Sequence, residues 1–237
     1  MGVPLRLARL AALGLVGTVL SAWAQDAPVA PLTRPGAATV RPGDVLLVDR
    51  FDGRSAKQLP ESAPVPHVDI GYADGEYKIR VEPEYQRGTD ADYFAGPSSL
   101  FSNVRAAVDV RLVGGVESRR FGLGCRATAP NGHLSGYFLV VLPALGRFSL
   151  SRMDAGEATD LAAPQASMAV ARGTRVNHLE LMCADETVTA RINGVEVVSV
   201  HDGTYSIGAV MLFVGRESAL PAEARFRDLV VSEALVD

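Results

Sequence analysis

Residues 104–113 read VRAAVDVRLV. Val104, Ala106, Val108, Val110 and Leu112 fall on one side of this stretch, and Arg105, Asp109 and Arg111 fall on the other. A period of two, apolar on one face and charged on the other, is the signature of a β-strand with one buried face. Moving outward, the alternation recurs. In Gly75–Val81, Tyr77, Ile79 and Val81 alternate with Glu76, Lys78 and Arg80. In Arg147–Met153, Phe148 and Leu150 alternate with Arg147, Ser149 and Ser151. Strands are also predicted at Asp44–Arg50, Phe121–Ala127, Gly136–Leu142, Val176–Cys183, Thr187–Ile192, Glu196–His201, Ala209–Gly215 and Arg225–Ser232. Asn193-Gly194, between two of them, is a strong hairpin signal because both residues tolerate positive φ. Asn131-Gly132 and Asp202-Gly203 read as turns for the same reason. The nearest approach to a helix is Gly156–Arg172, Ala-rich but broken by Pro164; a short helix and a strand with a loop both fit it. About a dozen short strands separated by turn signals imply an all-β protein, a two-sheet antiparallel sandwich.

The N-terminus reads differently. Arg6 and Arg9 precede an apolar run from Leu10 to Leu20, and Ala22-Trp23-Ala24 follows it. That is the three-part pattern of a secretory signal peptide, assigned to residues 1–24. The run is shorter than the ~20 residues a membrane span needs, and no Cys follows to accept a lipid. Residues 25–43 hold four prolines and no apolar period, which reads as a Pro/Ala-rich linker. Residues 44–237 are then one β-sandwich domain. The expected location is periplasmic or secreted, with no transmembrane segment after cleavage. Lys57 and Lys78 are the only lysines; with abundant Ala, Val and Gly, this fits a GC-rich bacterial source. The formal charge of −4 becomes −6 once Arg6 and Arg9 are removed, and no basic run remains. Binding to nucleic acid needs a basic stripe, so it is not expected.

Cys125 and Cys183 are the only cysteines. An even count in an exported chain predicts a disulfide. Parity agrees, since Cys125 shares a face with Phe121 and Leu123, and Cys183 shares one with Leu179 and Leu181. Two buried free thiols are the alternative.

The order of these features resembles the concanavalin A-like lectin/glucanase superfamily, in particular laminin-G-like domains of bacterial exported proteins. The resemblance is carried by Asp49-Arg50-Phe51-Asp52, Gly75-Glu76-Tyr77-Lys78-Ile79, and the strand ending in Val113-Gly114-Gly115. It continues through Phe121-Gly122-Leu123-Gly124-Cys125-Arg126, Gly136-Tyr137-Phe138-Leu139, and Gly146-Arg147-Phe148-Ser149-Leu150. Asn177-His178-Leu179-Glu180-Leu181, Ile192-Asn193-Gly194 and Phe226-Arg227-Asp228-Leu229-Val230 complete it, over residues 44–233. It implies a jelly-roll sandwich. It also implies sugar binding, adhesion or glycoside processing as functions, and a fold alone does not choose among them.

The residues narrow the choice. Retaining glucanases of this superfamily place acids on one strand as E-x-D-x-x-E, because two carboxyls must face each other about 5 Å apart. No such triplet exists here. Glu82 and Glu84 flank Pro83, and Asp90 and Asp92 stand in a loop-like stretch. There is no G-x-S-x-G elbow and no H-E-x-x-H or H-x-H pair among His67, His133, His178 and His201. The expectation is therefore a non-catalytic binding module for a glycan or cell-envelope partner. A glycoside hydrolase and a structural or adhesion protein are the alternatives. Tyr137, by its alternation with Phe138, Val140 and Leu142, is expected to point outward with Arg105, Asp109, Arg111, Arg147 and His178 as a ligand face. No cofactor is expected beyond a possible structural calcium on Asp49, Asp52 and Asp228, from chain ends able to meet at one edge. Trp23, the only tryptophan, lies in the signal peptide, so tyrosines must serve as sugar platforms.

Overall fold

The computed structural model describes residues 32–33, 40–86, 91–114, 119–129 and 133–236. The expected signal peptide, most of the expected linker, Asp90 and the expected Asn131-Gly132 turn lie outside the described residues. Every regular element among the described residues is a strand. In chain order they are β1 (Leu32–Thr33), β2 (Val40–Asp49), β3 (Val68–Ala73), β4 (Glu76–Val81) and β5 (Ala91–Ala95). Next come β6 (Val104–Leu112), β7 (Arg119–Thr128), β8 (Ser135–Leu142), β9 (Arg147–Asp154) and β10 (Glu157–Ala166). The last are β11 (Asn177–Ala184), β12 (Thr187–Ile192), β13 (Val195–His201), β14 (Ala209–Arg216) and β15 (Ala222–Val236).

Two sheets stack face to face. A nine-stranded sheet runs β1-β13-β12-β11-β6-β15-β4-β3, with β2 also on β15; a six-stranded sheet runs β10-β9-β8-β7-β14-β5. All neighbours are antiparallel except β1 with β13. The core fills the space between them. On β6, Val104, Ala106, Val108, Val110 and Leu112 all face inward and are fully buried. Each buried Val or Leu there contributes about 1.5–3 kcal/mol. β15 pairs with β6 along one edge and serves two partners along the other: Ala222–Phe226 pairs with β4, and Leu229–Val236 pairs with β2. The switch falls at a bulge where Asp228 has φ of 52°. Disulfide Cys125–Cys183 joins β7 of one sheet to β11 of the other, with Cα atoms 6.4 Å apart.

Arg126 is buried in the same region, one residue after Cys125, with φ of 52°. Its guanidinium donates to the carbonyls of Ser102 (2.8 Å), Asp185 (2.7 Å) and Tyr205 (2.9 Å) and to Asn103 Oδ1 (3.0 Å). Burial lowers its pKa, and the carbonyls meet its hydrogen-bonding needs without a carboxylate. It pins three loops to one end of the sandwich.

Three local readings change. Residues 157–166, left between helix and strand, form the edge strand β10, where Pro164 needs no ladder partner on its open side. Strands β1, β3 and β5 have no counterpart among the strands expected from the sequence, and β1 falls within the expected linker. The orientation of β8 is reversed. Tyr137, Leu139 and Val141 face the core, while Phe138 and Val140 face out. Both sides of β8 are apolar, so its period alone does not say which side is buried.

Candidate functional site

The outer face of the nine-stranded sheet holds Arg105, Asp109, Arg111 and His178. Cross-strand register sets His178 beside Asp109 and Glu180 beside Ala107. Arg105 binds Glu180 (Nε to Oε2, 2.9 Å), and His178 Nδ1 lies 2.6 Å from Asp109 Oδ1. His178 Nε2 stands 3.5 Å from Glu180 Oε1, closing a chain of four groups. Glu180 and then Asp109 raise the imidazole pKa despite partial burial. The His178 contact, then Arg105, hold Glu180 down at about 2. Arg111 and Arg227 share Glu76, at 3.0 and 2.8 Å. This face is a lattice of alternating charge whose members satisfy one another.

Two other sequence-predicted residues lie elsewhere. Arg147 is on the outer face of the six-stranded sheet, donating to Pro164 O at 3.3 Å. Tyr137 is fully buried, and its hydroxyl bonds the carbonyl (2.9 Å) and Oδ1 (2.7 Å) of Asp202. Burial and that carboxylate push its pKa up to about 12.

The chain ends do meet, since β2 pairs with β15, but the three aspartates do not converge. Asp49 is fully buried and accepts from Phe51 N (3.0 Å), Gln58 N (2.9 Å), Ser55 Oγ (3.3 Å) and Tyr72 Oη (2.5 Å). Asp52 accepts from the amides of Arg54 and Ser55 in a turn, which lowers its pKa. Asp228 is exposed in the β15 bulge. Among the described residues, no group of three or more His, Cys, Asp or Glu side chains is arranged to hold a metal.

The outer face of the six-stranded sheet is built differently. Gly122 and Gly124 of β7 leave bare backbone, and a methyl group there would collide with the Phe213 and Phe138 rings respectively. Those two rings therefore lie sunk against the strand, both buried. Phe94 of β5 packs on them, with centroids 5.1 Å from Phe213 and 5.4 Å from Phe138. Phe94, Val140, Met153 and Met211 are half-buried around this pair and form a separate apolar cluster outside the main core. One row further along, Asp92, Gly215 and Arg120 are register neighbours. Asp92 reaches across the bare Gly215 to meet Arg120 through two bonds of 2.9 Å, and Arg120 also binds Glu217 at 2.8 Å.

A cleft of about 500 Å³ opens at this face, lined by Tyr85, Gln86, Asp92, Phe94, His133 and Met211 among others. Its Tyr85–Gln86 wall is held from beneath. Arg216, fully buried at the end of β14, donates Nη2 to the carbonyls of Tyr85 (2.7 Å), Pro83 (2.9 Å) and Gln86 (3.2 Å). Phe94, Phe213 and Arg120 are not singled out by the sequence, and Gly122 and Gly124 enter it only through the resemblance. The available signal was Gly-x-Gly inside an apolar strand, which marks close approach by another group.

The acids considered for hydrolysis are dispersed. Glu82 is paired with Arg80 at 2.5 Å, Glu84 is exposed, and Asp92 is held by Arg120. The outward positions of the central strands β7, β8 and β9 carry Arg120, Gly122, Gly124, Phe138, Val140, Leu142, Arg147, Ser149, Ser151 and Met153, none of them a carboxylate.

No protein-family model matches the chain, and neither does any curated protein sequence. Solved structures do match. A galectin-like protein of unknown function from Bacillus subtilis superposes with a TM-score of 0.62 at 14% identity, covering 83% of this chain and 99% of that one. The carbohydrate-binding module CBM66 from Bacillus subtilis gives 0.54 at 17%, covering 66% and 86%. This is a concanavalin A-like jelly roll. A Bacillus licheniformis β-glucanase has the same jelly roll, at 0.54 and 11%, covering 84% and 100%. The jelly roll thus occurs in a binding module and in a hydrolase, and side chains must decide between them.

Proposed function

We propose that the protein is a non-catalytic glycan-binding module of the periplasm or cell exterior, and that it binds through the outer face of its six-stranded sheet. The observation that carries this reading is the contrast between the two outer faces. A solvated sheet face normally carries polar residues, as the nine-stranded sheet does. The six-stranded sheet instead carries half-buried Phe94 on a floor of two buried rings, beside a cleft with polar groups at its rim. An apolar ring face with flanking hydrogen-bonding groups is the arrangement that holds a pyranose. Glycoside hydrolysis needs two facing acids, and the outward residues of β7–β9 offer none. The disulfide fits an oxidising compartment. No helix among the described residues is long and apolar enough to cross a membrane.

The test is a broad glycan array probed with the purified protein, followed by titration of any hit. Phe94→Ala is expected to weaken binding at least tenfold while the protein stays folded, because β5 is a sheet edge. Silence of the folded protein across neutral and acidic glycans would overturn the reading.

A further inference from the structure

A second cleft, of about 640 Å³, adjoins the first. The two share Ala129 and Met211 in their walls. From Asp92 in the first to Pro97 in the second is five residues of nearly extended chain, roughly 16 Å at strand rise. The linings differ in kind. The first cleft presents Tyr85, Gln86, Asp92 and His133. The second presents Leu59, Pro60, Pro97, Leu100 and Met211, with no aromatic ring and few polar side chains. Leu100 is 60% exposed. Sugar hydroxyls left against aliphatic walls would lose their hydrogen bonds to water without replacement. An alkyl chain loses nothing there and gains from leaving water.

Resting on the sugar-binding reading, we propose that the ligand is amphiphilic, a glycan carrying an aliphatic substituent such as an acyl or alkyl chain. The sugar occupies the Phe94 cleft and the chain runs past Met211 into the Leu100 cleft. The wall that the two clefts share at Ala129 and Met211 supports one ligand for both, and the change of lining at Met211 sets where its polar part ends.

The experiment is calorimetric titration of the purified protein with methyl, butyl and octyl β-D-glucopyranosides and with octanol, the octyl glucoside kept below its critical micelle concentration and the octanol below its solubility limit. Affinity is expected to rise up to about fourfold for each added methylene that is buried. Leu100→Asp is expected to erase that rise. Leu145→Asp, at an exposed leucine in the turn between β8 and β9, is the matched control and should leave it intact. Leu100 has little buried surface to lose, and a thermal melt verifies that the variant is folded. The proposal fails if octyl glucoside binds no tighter than methyl glucoside, if L100D keeps the increment, or if octanol binds as tightly as octyl glucoside. Binding of the methyl glucoside with no chain-length effect sinks this proposal and leaves the glycan reading standing. Octanol binding equal to that of octyl glucoside, with methyl glucoside silent, sinks the glycan reading as well and marks a lipid site.

Discussion

Gly215 has no side chain, and the Asp92–Arg120 pair depends on that. A methyl group at 215 would collide with Asp92 Oδ1 and crowd the Arg120 side chain. Gly215→Ala is therefore expected to push the carboxylate off the guanidinium. Arg120 is nearly buried, so weakening its strongest geometry costs about 1–3 kcal/mol. Urea melts of the single and double variants check this. The same glycine substitution in an Asp92→Ala background should cost much less, because the colliding atom is gone. Equal costs in both backgrounds would show that Gly215 matters for some other reason. No reading along the chain finds this pair, since residues 92, 120 and 215 become neighbours only through register. Tyr137 teaches a related lesson. Its neighbours Phe138 and Val140 predict that it points outward, but Leu139 and Val141 are equally apolar and occupy the core face.

At the scale of elements, β6 is legible because its two faces differ in charge, and β4 and β11 for the same reason, while β9 shows through Phe148 and Leu150 alternating with Arg147, Ser149 and Ser151. β7 was legible as a strand, but the role of its glycines was not, since that role belongs to rings arriving from β8 and β14. β3 and β5 each hold a single charged residue, Asp69 and Asp92, so charge does not set one face apart from the other as Glu76, Lys78 and Arg80 do in β4. The pairing of β6 with β11 has a titratable consequence. Glu180 is held at about 2, so its contribution to stability is present above its ordinary 4.5 and is lost as pH falls from there toward 2. His178 is shifted upward, so its contribution is present below its ordinary 6.5 and is lost as pH rises through the higher folded value. Both are in place between about pH 4.5 and 6.5. NMR titration of the imidazole should therefore find His178 above 6.5 in the wild type and closer to it in Glu180→Gln. That variant should also show a shallower loss of stability below pH 4.5. A wild-type midpoint at or below 6.5 would contradict the geometry.

For the whole molecule, the question is what keeps two unlike sheets together. The core does most of it, through Leu, Val and Phe side chains from both inner faces. Cys125–Cys183 adds a covalent tie between the sheets across 58 residues of chain. On the chain-entropy account, closing a loop of that length stabilises the fold by about 4 kcal/mol, mainly by restricting the unfolded chain. That is a large share of the 5–15 kcal/mol typical of a folded domain. The double variant Cys125→Ala/Cys183→Ala should therefore lower the urea midpoint substantially. It should also raise the m-value, because an unfolded chain free of the loop exposes more surface. Alkylation followed by mass measurement, with and without reductant, should differ by two labels in the wild type. The small cavities left by the two sulfurs act on the folded state and change the midpoint without changing m. A lowered midpoint with a constant m would therefore place the effect in packing, and an unchanged midpoint would mean that the core alone holds the sheets together.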